Sequence, residues 1–355
     1  NMGIFRQLKV KVVDRAVVIA VLMMALSPAY DATAQPDCSK MRNEAFEFIR
    51  GMPADLQGLQ ELAVRMAMAG DVAALEAVRN SRNKMVELPE DVSAMDIEGK
   101  YRLYMPAQIS RRQLPVLIYL HGGGWCFGSI NSCARFCSEF VKASGIAVLA
   151  VDYPLAPECP YPAALGCCME AVNFVYDNAA QYNLDKYRIS IGGDSAGGNL
   201  ALATALGMVV AGGNSDKTHA PCLDSLILFY PVVKAWNDNS DSWQKYGNGY
   251  GLDSSIMEAF NEAYIGENDP ASPLISPFCA EAVCLAQLPP VLIVNADHDI
   301  LRDQGADMYA ALVHAGVRAY RKVLPGTTHL FITVPGQSTA FREAVRLSAE
   351  FIRNL

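Results

Sequence analysis

Six short apolar runs, at 115–120, 146–152, 187–191, 226–230, 291–295 and 317–324, alternate with helical stretches at 134–143, 163–182, 196–210, 303–315 and 340–352. Each run is too short for a stable helix and apolar enough to be buried on both faces. Strands of that kind, separated by helices, dictate a mostly parallel sheet covered on both sides. The fold class is therefore α/β. Residues 97–105 alternate polar and apolar side chains, which predicts an antiparallel strand leading into the sheet. With 355 residues, 52% of them apolar and 19% charged, the chain can build one large core with insertions.

Three segments depart from this rhythm. Residues 35–94 read as short helices, with Asp55 and Asp71 as N-caps. Residues 234–272 carry Trp236, Trp243, Tyr246 and Tyr250, then a helix near 255–264, then Pro270 and Pro273. A connection that long in a compact domain is usually functional. The two segments are expected to form a helical cap over a catalytic core of 95–233 and 273–355. The cap would cover the C-terminal strand edge, where open α/β sheets bind ligands. Residues 1–34 have the form of an export signal. Arg6, Lys9, Lys11 and Arg15 precede an apolar run at 16–26, and small residues favour cleavage near Ala34. The run is shorter than the ~20 residues that a membrane-spanning helix needs. This predicts a secreted or periplasmic protein; a retained helix would instead leave it in the cytoplasm.

A net charge of -8 argues against a nucleic-acid partner, because phosphates need a basic face. There are ten cysteines and five histidines but no C-x-x-C pair, so neither a metal nor any cofactor is expected. In an exported chain some cysteines could pair, and Cys279 and Cys284 are close enough in sequence to do so.

The strongest chemical signal is the stretch from Ile191 to Asn199, which contains G-x-S-x-G as Gly193, Ser195 and Gly197. A strand ends before it and a long helix follows. In that setting the turn is too tight for side chains two residues either side of the serine. The serine is held in strained backbone with its hydroxyl clear of the sheet. Ser195 is the predicted nucleophile. The second signal is His121-Gly-Gly-Gly-Trp125, directly after the strand at 115–120. Its N–H groups can bind a developing oxyanion, and the predicted donors are Gly123, Gly124 and Ala196. Such a loop could also hold a phosphate, but no P-loop lysine follows it.

A serine nucleophile needs a base. His121 belongs to the glycine loop and is expected to orient it. His219 lies in a polar connection and His314 in a helix. His329 follows the last strand, in Gly326-Thr-Thr-His329, where a base should stand. For the acid, Asp297, Asp299 and Asp303 compete after the strand at 291–295. Asp303 looks like a helix N-cap, and spacing does not separate Asp297 from Asp299.

These motifs, with Asp152-Tyr-Pro-Leu-Ala-Pro-Glu158, Pro162-Ala-Ala-Leu165 and Asp299-Ile-Leu-Arg-Asp303, resemble the hormone-sensitive-lipase family of bacterial carboxylesterases. The resemblance runs from about Met95 to the C-terminus. It implies an α/β-hydrolase fold with a helical cap, Asp299 as the acid, and possible pairing of two chains through the last strand and helix. Pro154, Cys159 and Ile300 depart from the usual arginine, histidine or asparagine, and proline. The related plant gibberellin receptors lack the histidine that this chain has as His329.

The expected activity is hydrolysis of small esters by a Ser195–His329–Asp299 triad through an acyl-enzyme. The cap aromatics and Trp125 suggest short acyl chains. Cys126, beside the glycine loop, reads as a packed, inert thiol. Two other readings are a serine peptidase or amidase on the same fold, and a non-catalytic ligand-binding homologue.

Overall fold

A computed structural model describes residues 38–53, 55–108, 112–212 and 221–355. The expected export segment and His219 lie outside these residues. Three helices come first: α1 (Asn43–Arg50), α2 (Leu56–Met68) and α3 (Ala73–Arg82). The sheet then begins with β1 (Val92–Ile97), β2 (Tyr101–Pro106) and β3 (Leu114–Leu120), followed by α4 (Ala134–Ser144) and β4 (Ala147–Val151). Next come α5 (Ala163–Asn178), β5 (Leu184–Asp194), α6 (Ala196–Gly212) and β6 (Leu223–Phe229). The insertion supplies α7 (Asp241–Tyr246) and α8 (Ser254–Ile265), and a short α9 (Ala282–Leu285) returns to the core. β7 (Val291–His298), α10 (Arg302–His314), β8 (Ala319–Thr328) and α11 (Ser338–Arg353) complete it.

The strands form one sheet in the order β1-β2-β4-β3-β5-β6-β7-β8. The pairs β1–β2 and β2–β4 are antiparallel, and every later pair is parallel. Side chains alternate between the two faces, as the twofold period of a strand requires. From β3, Val116, Ile118 and Leu120 join α5, α6 and α10 on one side, while Leu117 and Tyr119 join α4 and α11 on the other. Each such fully buried side chain contributes about 1.5–3 kcal/mol.

Several expectations need correction. The single strand at 97–105 is a hairpin: Glu98 and Gly99 take positive φ, and the chain reverses between β1 and β2. The helix expected to reach 182 ends at Asn178, before a turn whose Leu184 N–H bonds the Ala179 carbonyl. The N-cap before α3 is Val72 and not Asp71, although Asp71 Oδ1 does accept the Ala73 N–H at 3.2 Å. Asp55 stands at the N-cap of α2 but makes no side-chain cap bond. Asp303 lies inside α10, whose N-cap is Leu301; its carboxylate accepts the Ser242 N–H from α7 instead. Cys279, at the end of a 3-10 turn, and Cys284, within the next helix, are free thiols rather than a pair.

Two segments distant in sequence meet above the strand edge. Helix α2 packs on α8, with Arg65 bonded to Glu262 at 2.9 Å. Gln57 bonds the Gly251 carbonyl at 2.7 Å and accepts the Asp253 N–H at 3.1 Å. Among the described residues, no helix is long and apolar enough to cross a membrane.

Candidate active site

Loops leaving β3, β5, β7 and β8 converge at the C-terminal edge of the sheet. Ser195 follows β5 with a φ of 56°, a left-handed conformation that costs a non-glycine residue energy. Its N–H donates to the Phe229 carbonyl at 2.9 Å, and its carbonyl accepts the Asn199 N–H at 3.1 Å. A methyl group on Gly193 would strike the Leu120 carbonyl and the Gly197 backbone. One on Gly197 would strike the carbonyls of Leu120 and His121. Glycine is therefore obligatory at both places. Ala196 opens α6, so its N–H has no carbonyl one turn back and lies at the positive end of the helix.

His329 immediately follows β8. Its Nε2 lies 3.1 Å from Ser195 Oγ, and its Nδ1 lies 2.7 Å from Asp299 Oδ2. A proton on Nδ1 donates to that carboxylate and leaves the Nε2 lone pair facing the hydroxyl. Asp299 Oδ1 accepts the Leu301 N–H at 3.0 Å, so both carboxylate oxygens are held. All three side chains are buried. Asp297, two residues earlier, points elsewhere: its Oδ2 accepts the Gly326 N–H at 3.0 Å, at the base of the histidine loop. Adjacent strand-end residues point to opposite sides, but residues two apart do not. It is the turn after β7 that sends these two carboxylates to different partners.

Two buried residues that the sequence did not single out hold the histidine loop. Gln337 Nε2 donates to the His329 carbonyl at 3.1 Å, while its Oε1 accepts the Thr328 N–H at 2.9 Å. Tyr230 follows β6 and sets its ring 4.2 Å from the imidazole; its hydroxyl accepts the Ile332 N–H. The position of Tyr230 just past a strand end was a usable signal. Gln337 had none, because its role depends on the path of a loop.

In the glycine loop, the Gly122 N–H donates to Asp194 Oδ1 at 3.1 Å, away from Ser195. Gly123 (φ 122°) and Gly124 (φ 60°) follow in backbone that favours glycine. The Gly123 carbonyl accepts N–H bonds from Phe127 at 2.8 Å and Cys126 at 3.1 Å, which folds the loop back on itself. A methyl group on Gly124 would enter the Phe260 ring, so α8 touches this loop directly. Asp194 was legible only as part of the serine motif. Its carboxylate also accepts the hydroxyls of Tyr119 at 2.9 Å and Thr333 at 2.6 Å, tying the glycine loop to the serine turn and the histidine loop. Burial pushes this carboxyl above its ordinary range, and the two hydroxyls oppose the shift.

Cys126 is buried, which pushes its thiol well up and leaves it unreactive. His314 ends α10, and the buried His298 ring lies 5.9 Å from that of Tyr250. His121 donates from Nδ1 to the Gly122 carbonyl at 2.9 Å and stacks 4.2 Å from Tyr153, whose hydroxyl bonds the His121 carbonyl. Burial lowers its affinity for a proton. The unfolded chain takes up this proton near its usual value, and the folded chain only at lower pH. Between these two pH values the unfolded state binds more protons. Stability is therefore complete above the usual histidine range and is lost as pH falls through the window. The urea midpoint is expected to drop between about pH 7.5 and about pH 5.5, and to drop less in His121→Gln. An equal drop in both would remove His121 as the cause.

Fold and site together define an α/β-hydrolase. A family profile described as alpha/beta hydrolase fold matches residues 117–333. An arylesterase from Saccharolobus solfataricus is 34% identical over 245 residues, which cover 68% of this chain and 76% of that protein. An ethyl acetate hydrolase from Pseudomonas putida is 34% identical over 233 residues, 65% of this chain and 70% of the relative. A crystal structure of a thermostable esterase from Pseudomonas putida aligns with a TM-score of 0.74 at 26% identity, covering 90% of this chain and 98% of that one. The chain belongs to the α/β-hydrolase fold family, and the resemblance to hormone-sensitive-lipase-type carboxylesterases holds.

Proposed function

We propose that the chain is a serine carboxylesterase acting on short acyl esters. The observation that carries this reading is the continuous relay from Ser195 Oγ through His329 to Asp299, at 3.1 and 2.7 Å, in a buried site. Ser195 Oγ attacks the ester carbonyl carbon while its proton passes to His329 Nε2. The carbonyl oxygen becomes an oxyanion, bound by the N–H groups of Gly123, Gly124 and Ala196. Each such donor is worth about 10²–10³ in turnover. The intermediate collapses, the bond to the alcohol oxygen breaks, and His329 returns its proton to that oxygen. Water then gives a proton to His329 and attacks the acyl carbon, releasing the acid and regenerating Ser195. Asp299 keeps the imidazole oriented and stabilises its charged form. The chain's own residues supply every step.

The preference for short acyl groups rests on the cap. Phe260 lies against Gly124 and meets Phe127 edge-on at 5.3 Å, while Tyr264 stacks on Trp125 at 4.3 Å. Aromatic side chains from α8 thus restrict the space beside the loop. One relative, by its name, hydrolyses ethyl acetate, an ester of this size. With p-nitrophenyl esters of increasing length, kcat/KM is expected to peak between acetate and butyrate. The first methylenes that do not fit should each cost about 1–3 kcal/mol. Phe260→Ala is expected to move the peak to longer chains. A wild-type maximum at octanoate or beyond would overturn the size assignment.

A further inference from the structure

The cap also reaches the glycine loop from its N-terminal side, through Arg79. Arg79 stands in the last turn of α3, on the N-terminal side of the cap. Its Nε donates to the Cys126 carbonyl at 2.8 Å, and its Nη2 donates to the Ala156 carbonyl at 2.8 Å. The same guanidinium makes a two-pronged pair with Glu158, at 2.6 and 2.9 Å. Both bonded carbonyls belong to residues whose N–H groups hold the loop. The Cys126 N–H donates to the Gly123 carbonyl at 3.1 Å, and the Ala156 N–H donates to the Trp125 carbonyl at 2.9 Å. Arg79 is thus one peptide unit from the bonds that hold the Gly123–Gly124 and Trp125–Cys126 peptides, the first of which carries the Gly124 N–H. Within Asp152–Glu158, Pro154 stands where the resemblance expects arginine, and the guanidinium on this segment's Ala156 carbonyl comes from α3.

A planar guanidinium suits this task. Its donors form a fixed fork, so one group can hold two carbonyls and a carboxylate at set angles, which a lysine ammonium cannot do. The side chain is largely enclosed, at 18% exposure, against 36% for Glu158. The ion pair therefore lies toward solvent and the two carbonyl bonds lie within. The pairing also keeps the Glu158 carboxyl below its usual range.

We infer that Arg79 is a positioning residue for the oxyanion-binding loop, so that the N-terminal cap helix sets the turnover step as well as covering the site. This rests on the esterase reading above. The chain's reaction needs Gly123 and Gly124 amides aimed at the oxyanion, and a misplacement of about 1 Å there can cost about 100-fold.

The test compares Arg79→Gln, Arg79→Lys and Glu158→Gln in the full chain, with p-nitrophenyl acetate as substrate. Arg79→Gln is expected to lower kcat about 10- to 100-fold with KM changed less than about threefold. Arg79→Lys should recover only part of the loss. Glu158→Gln, which leaves the carbonyl bonds in place, should keep kcat within about threefold. Binding of a trifluoromethyl ketone, which forms an oxyanion on Ser195, should weaken in parallel with kcat/KM across the series. Thermal melts separate positioning from folding. If kcat follows Tm in all three variants, or if Arg79→Gln leaves both kcat and ketone affinity unchanged, the inference fails. Should Arg79→Gln not fold, Arg79→Lys with the ketone measurement decides the matter alone. Failure of the esterase reading itself looks different: Ser195→Ala would then turn over the ester as fast as the wild type.

Discussion

Ser195→Ala is expected to lower turnover of p-nitrophenyl acetate by about a millionfold, leaving a slow residual rate and an unchanged circular dichroism spectrum. The size follows from the proposed route. Without Oγ no acyl-enzyme forms, and His329 has no nucleophile to deprotonate except water. What remains is the contribution of the oxyanion-binding amides and of substrate binding, about 10³–10⁴ over the uncatalysed reaction. The fold should survive because the substitution removes one oxygen at a position already in left-handed backbone, with a φ of 56°. The backbone bonds of residue 195 to Phe229 and Asn199 do not involve that oxygen. Hydrolysis at the wild-type rate would remove Ser195 from the reaction, and with it the esterase mechanism.

Asp299→Asn is expected to cost about 10⁴ in kcat, whereas Asp297→Asn should stay within about tenfold of wild type. The two residues are equivalent by spacing, so the contrast tests the geometry. An asparagine at 299 can present its NH₂ to His329 Nδ1, which then becomes the acceptor and puts the ring proton on Nε2, facing Ser195. That tautomer cannot take the serine proton. Asp297 instead bonds the Gly326 amide at 3.0 Å and touches the reaction only through the loop it supports. Kinetics at saturating p-nitrophenyl acetate, with Tm as the folding control, give both values. Equal losses in the two variants, or the larger loss at 297, would overturn the assignment of Asp299.

Much of the fold was readable from one dimension. Each of the six apolar runs overlaps a strand of the sheet; in β3, β4, β6 and β7 side chains buried on both faces leave a continuous apolar signature, whereas the edge strand β8 is half exposed. The two differences have different causes. The hairpin between β1 and β2 was missed because an alternating pattern passes through Glu98-Gly99-Lys100 without a proline or an Asn-Gly pair to mark the reversal. The sequence marks Asp303 as the start of α10, whereas its carboxylate is taken by Ser242 from a helix 61 positions away. Distant partners leave no trace in a local pattern.

The site divides the same way. Ser195, His329 and the three glycines could be proposed from sequence because local backbone geometry leaves little choice there: tight turns exclude side chains, and the strand ends set which edge the loops occupy. Asp194, Tyr230, Gln337 and Arg79 act through partners brought together by the fold, at separations of 72 positions from Asp194 to Gly122 and 77 from Arg79 to Ala156. The amino-acid order alone determined a mostly parallel α/β sheet, the tight turn that lifts residue 195 clear of the sheet, and the loops from which an imidazole and backbone amides could reach it. Only the tertiary structure decided which aspartate meets that imidazole, which cap ring presses on Gly124, and which arginine ties the cap to the loop. Turns and strands are encoded by neighbours in the chain, whereas these contacts exist only once helices and strands have packed.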